Sequence, residues 1–124
     1  MAKALDKFGE FVVANLRDAA IDHADSLLVG HWKAPGLQAL QAELRRLTDE
    51  QRALVRRCVI DAVDSSLHDF LFALQEEHDT EAGIAVFVDG GPVAAESDGL
   101  HAEPFGDEGW FARFSKHGPH PDPA

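Results

Sequence analysis

Basic residues are nearly missing from the last two-fifths of this chain. Residues 76–124 hold only two, Arg113 and Lys116, beside eleven acids, whereas residues 1–75 hold nine bases and eleven acids. Of the formal net charge of −11, all but about −2 therefore falls after residue 75. Binding to a phosphate backbone needs clustered Lys and Arg that displace counterions, so this composition argues against nucleic acid. It argues equally against an anionic membrane surface.

Cysteine is almost absent too. Cys58 is alone, so no intrachain disulfide can form and nothing suggests an oxidising compartment. Its apolar helical surroundings predict a small buried hydrophobe rather than a reactive thiol. Long apolar runs are also lacking. No stretch of about 18 apolar residues occurs, so no membrane span is expected. Met1 to Val13 mixes Lys3, Asp6, Lys7 and Glu10 with apolar residues, which is unlike a signal peptide. The default expectation is a cytoplasmic protein.

A chain of 124 residues is one domain by size. Leu5, Phe8, Val12, Leu16, Ala19, Ala20 and Leu27 share one face of a first helix over residues 4–29, with Gly30 as its stop. Trp32 is expected to fold over the junction, and Pro35 suits the first turn of the next helix. Leu37, Leu40, Leu44 and Leu47 mark that second helix. Thr48-Asp49-Glu50-Gln51 has the form of a capping box and opens a third, running to about Glu76. Its apolar face carries Val59, Ile60, Val63, Leu67, Phe70, Leu71 and Leu74.

The pattern changes after His78. Ile84–Val88 reads as a strand, Asp89-Gly90-Gly91 as a hairpin turn, and Pro92–Ala95 as the returning strand. Leu100–Ala102 is a candidate third strand, and Asp107 a candidate cap for a last short helix. The expected fold is α+β: a three-helix antiparallel bundle over residues 4–77, then a small β-hairpin or meander and a short terminal helix over 83–117. Residues 1–117 form the domain. The Gly- and Pro-rich tail, 118–124, is expected to be disordered.

Two surfaces could carry function. On the third helix Arg57, Asp61, Asp64, His68 and Gln75 fall within about 60° of one another. His23 lies in the apolar stripe of the first helix, where a buried imidazole needs a partner. His23, Asp61, Asp64 and His68 together could hold a divalent transition metal or move protons near neutral pH. The competing reading is a hydrogen-bonded seam that fixes helix register. The pattern favours the seam, because D-x-x-D-x-x-x-H is no known metalloenzyme signature and H-E-x-x-H is absent. No resident cofactor is expected. Nucleophilic catalysis lacks its usual G-x-S-x-G elbow, and Gly90-Gly91 is followed by Pro92 rather than the lysine of a phosphate loop.

The second surface is Glu96 to Phe114. Glu96, Asp98, Glu103, Asp107 and Glu108 alternate there with Phe105, Trp110, Phe111 and Phe114. Aromatics anchor interfaces, and charges around them steer an oppositely charged partner. The candidate partner-binding residues are Glu96, Asp98, Glu103, Phe105, Asp107, Glu108 and Trp110. The competing reading turns the aromatics inward to close the core.

Leu67-His68-Asp69-Phe70-Leu71-Phe72-Ala73-Leu74-Gln75-Glu76, with Ser97-Asp98-Gly99-Leu100, Glu103-Pro104-Phe105-Gly106 and Gly109-Trp110, resembles a family of small bacterial proteins of unassigned activity. The likeness spans roughly residues 8–117. It implies a complete bacterial protein and carries over no functional residue. The leading expectation is a non-enzymatic module whose acidic part engages a basic protein, as an immunity or antitoxin-like inhibitor does. A small metal protein or enzyme, and a homodimer closed through the C-terminal aromatics, are the alternatives.

Overall fold

The computed structural model describes residues 3–121. The fold is α+β, mostly helical, with one small antiparallel sheet. No helix among the described residues is long and apolar enough to cross a membrane.

The first helix is built in three pieces. Helix α1 (Ala4–Val12) widens into a π-helical turn (Val13–Arg17) and continues as α2 (Asp18–Leu28). The widened turn resets the face. Leu5, Gly9, Val13, Arg17 and Ile21, each four residues apart, all point inward. A π-turn holds more than four residues, so a step of four stays in line where an ordinary helix would drift. The expected face through Leu16 and Ala19 is therefore rotated outward, and Leu16 is half exposed. Gly30, at φ +69, ends the helix in a left-handed conformation open to glycine.

The second helix is shorter than its leucine spacing suggests. A 3-10 turn (Pro35–Leu37) leads into α3 (Gln38–Arg45), only eight residues long. Its one buried side chain is Gln41, which accepts from the Trp32 amide and donates to the Trp32 carbonyl. Helix α3 packs against α2, so the scaffold is two long helices joined through a short one.

The capping box forms as read. Thr48 Oγ1 accepts from the Gln51 amide and Gln51 Oε1 from the Thr48 amide, opening α4 (Asp49–Asp79). Ile60, Asp64, Leu67, Leu71, Leu74 and Gln75 form its inward face. Cys58 is exposed, against the expectation of burial, because it lies away from that face.

The β-part is smaller than expected. Strands β1 (Phe87–Val88) and β2 (Gly91–Pro92) pair through a tight turn at Asp89 (φ 53) and Gly90 (φ 86). The chain after Pro92 does not continue as a strand. Val93–Glu96 and Leu100–Ala102 are 3-10 turns. The buried Gln75 amide replaces a third strand: it donates to the Ala94 carbonyl and accepts from the Leu100 amide. Helix α5 (Trp110–Phe114) starts from Gly109 with no side-chain cap, so Asp107 does not fill that role. Gly109 is required sterically, since a Cβ there would meet the Phe105 carbonyl oxygen.

These C-terminal turns lie on one side of the two-helix scaffold. Val93, Leu100, Trp110 and Phe111 bury there against Leu5, Val13, Leu67, Leu71 and Leu74. Trp110 packs on Gly9, where a Cβ would come within 2.5 Å of the indole, and edge-on to Phe8 at 5.8 Å.

Candidate functional site

Arg17 is the hub of a buried polar cluster. The π-turn aims it into the molecule, where it is 1% exposed. Its Nε and Nη2 donate to Asp64 Oδ1 and Oδ2 at 2.7 and 3.1 Å. Nη1 donates to Ser115 Oγ at 3.0 Å and to the Gly118 carbonyl at 2.6 Å. The guanidinium lies 4.0 Å above the Phe111 ring. One side chain thus joins the first helix, α4, α5 and the tail. An ion pair this deeply buried persists only because its remaining donors and acceptors are met.

The tail completes the cluster. His120 Nδ1 donates to Asp64 Oδ2 at 2.6 Å. Ser115 Oγ donates to Asp18 Oδ1, and the Lys116 amide to Asp18 Oδ2. His117 Nε2 donates to Asp22 Oδ1 at 2.8 Å, while its Nδ1 faces Arg56 Nη2 at 3.4 Å. Because Arg56 can only donate, that geometry assigns the His117 proton to Nε2. Lys116 closes on the other Asp22 oxygen at 2.6 Å. The Lys116 hydrogen bond, then that of His117, holds the Asp22 carboxyl below its ordinary 3.8. Asp22 in turn raises Lys116, and Asp25 raises Arg56. Within the tail expected to be disordered, Gly118 and His120 both contact this cluster; residues 122–124 lie outside the described residues.

The predicted acid/base set is partly brought together. Asp64 and His68 line one small pocket of about 190 Å³ with Ser65, Asp69, Phe105 and His120. His23 is not in it. It is exposed and stacks on Trp32 at 5.7 Å, because the π-turn rotates it out of the core. Asp61 is exposed, 3.9 Å from His120. The imidazole on Asp64 is thus His120, not His23, and the carboxylate's main partner is Arg17. Among the described residues no three His, Cys, Asp or Glu side chains are grouped to hold a metal ion. Sequence reasoning missed Arg17 and His120. The step of four through Leu5, Gly9, Val13, Arg17 and Ile21 was the available signal for Arg17.

The acidic surface divides into frame and display. Trp110 and Phe111 are fully buried, so Trp110 is removed from the set a partner could touch. Phe105 is half buried, edge-on to Phe111 at 5.4 Å. Glu103 is half buried and accepts from Ser97 Oγ. Glu96, Asp98, Asp107 and Glu108 are exposed. The two bases of this part are already engaged, Arg113 with Asp6 and Lys116 with Asp22. Among the described residues, none of the four exposed acids has a cation within ion-pair distance.

No protein-family model, curated protein or solved structure matches this chain.

Proposed function

We propose that this protein is a non-catalytic binding module that presents Glu96, Asp98, Asp107 and Glu108 to a basic protein partner. Glu103 and Phe105 lie at the edge of the contact. The reading rests on one observation: these acids stand exposed and unneutralised on a segment anchored by the buried Trp110 and Phe111. Buried anchors hold the turns that carry the acids, so less ordering entropy is lost on binding. Unpaired like charges then accelerate encounter with a basic surface and disfavour acidic ones. By size and charge the analogy is to immunity and antitoxin-like inhibitors.

Co-purification from the native host at low and high salt tests this. A basic protein retained at low salt, released at high salt, and lost with Asp107→Lys/Glu108→Lys supports the reading. No partner, or one indifferent to salt and to these substitutions, contradicts it.

A second reading rests on the pocket between His68 and His120. The Asp64 carboxylate orients the His120 ring through Nδ1, the arrangement used to position an imidazole for proton transfer. A metal bound there, or a turnover abolished by His120→Ala with the fold intact, would favour an enzyme or metal protein. Elemental analysis of untagged protein tests the metal.

A further inference from the structure

An open groove of about 610 Å³ lies between the end of α4 and the segment that leads into β1. Glu77, Asp79 and Glu81 line it from the helix and the turn after it, and Ile84, Ala85 and Phe87 from the segment. Ile84 and Phe87 are large and apolar, yet 61% and 63% exposed. Side chains alternate along a strand, so Phe87 turns outward where Val86 and Val88 turn in to pack on the core. The backbone is open as well. The sheet has two strands, so β1 has a neighbour on one edge only. The Val93 amide donates to the Val86 carbonyl, and Val88 pairs with Gly91 across the turn. Phe87, between them, sits opposite Pro92, which has no N–H. In an antiparallel ladder a residue so placed directs its own amide and carbonyl to the other edge. Among the described residues the backbone groups of Ile84 and Ala85 meet no backbone partner. An unpaired edge of this kind is a template for a further strand.

We propose that β1 accepts an extended, basic segment of a partner protein as a third strand, with an apolar side chain of that segment set against Ile84 and Phe87. Charge selects this occupant. No Lys or Arg lines the groove, and the chain has none between Arg57 and Arg113. Among the described residues Glu77 and Glu81 have no cation within ion-pair distance. Asp89, in the hairpin turn, is already held by Lys7, and Asp79 takes the Gln75 amide. The two glutamates therefore carry the unanswered charge of the groove. A second copy of this chain would bring the same acids to the same edge and be repelled. A segment that alternates Lys or Arg with aliphatic residues meets all three features. Its backbone pairs with the open edge, its apolar side chains cover Ile84 and Phe87, and its cations answer Glu77 and Glu81. The groove shares no residue with Glu96, Asp98, Asp107 and Glu108, so this inference does not depend on that surface having a partner.

Titration of the isotope-labelled full chain with a synthetic peptide of alternating Lys and Val, followed by NMR amide shifts, tests the proposal. The largest shifts should fall on Ile84, Ala85 and Phe87, with Glu77 and Glu81 beside them. Affinity should drop by about tenfold for Phe87→Ser and for Glu77→Gln/Glu81→Gln. The same loss is expected when the peptide is methylated on its backbone amides, which removes the donors of a strand. The double Glu→Gln variant keeps the shape of both side chains, and it serves alone if Phe87→Ser alters the fold. No shift at β1 at any peptide concentration would overturn the proposal. So would shifts gathered at residues 96–108 instead, or equal binding of an alternating Lys and Gly peptide or of the methylated one.

Discussion

Arg17 and Asp64, forty-seven residues apart in sequence, form a two-pronged ion pair in which each side chain is 1% exposed. The pair joins the π-turn of the first helix to the middle of α4, and the same guanidinium grips the tail at Gly118. Removing one partner strands a buried charge, which typically costs about 3–5 kcal/mol. Arg17→Ala and Asp64→Ala should each lower stability by that order in urea unfolding. Arg17→Met combined with Asp64→Leu should cost clearly less than Arg17→Met and Asp64→Leu made singly and summed. Additive losses would mean the pair does not act as a unit.

Shortening the chain after His117 removes the Gly118 carbonyl from Arg17 and the His120 imidazole from Asp64. Each is a hydrogen bond to a charged group, of the kind that contributes about 1.5–3 kcal/mol. The truncated chain should unfold at lower urea and show faster amide exchange around Arg17. Unchanged stability would show that the tail rests on the cluster without holding it.

Gly9 is open to no side chain. A Cβ would press on the Trp110 indole at 2.5 Å, and Trp110 is fully buried. Gly9→Ala would gain helix propensity but force the ring to shift, and overpacking of this kind costs about 1–3 kcal/mol. A net loss of stability and a changed tryptophan emission are expected. A more stable variant would contradict the packing described.

Asp22 carries a pH signature. Its carboxyl titrates below the ordinary 3.8 in the folded chain, chiefly through Lys116 and then His117. A lowered folded value means that the stabilisation is present above 3.8 and is lost as the pH falls through and below that value. Asp22→Asn should therefore be less stable than the parent at neutral pH, with the gap closing in acid. The gap should be small, because the Asp22 side chain is 44% exposed. A gap that widens on acidification would contradict the assignment.

The features readable from sequence were those with a local cause. The Thr48–Gln51 capping box, the stop at Gly30 and the Asp89-Gly90 turn each follow from neighbouring side chains and backbone sterics. The first helix's inward face was not readable by an ordinary helical period, because a π-turn shifts the register halfway along. That shift exchanges Leu16 and His23 for Arg17 and Ile21, so a charge enters the core and a histidine leaves it. The 3-10 turns after Pro92 escaped for a different reason. Their backbone groups are met by Gln75, a residue about twenty positions earlier, and no local pattern encodes such a partner. The acidic surface was legible as composition, but which aromatics lie beneath it was a matter of packing.

The role proposed for the acids around Asp107 and Glu108 is recognition of a basic protein. The most direct measurement is co-purification of the native protein from its host at low and high salt, beside the Asp107→Lys/Glu108→Lys variant. Both positions are exposed and make no ion pair among the described residues, so the variant should fold and melt like the parent. A basic partner should be held at low salt by the parent alone and released as salt rises. A partner bound equally by the variant, or none at any salt concentration, would contradict it.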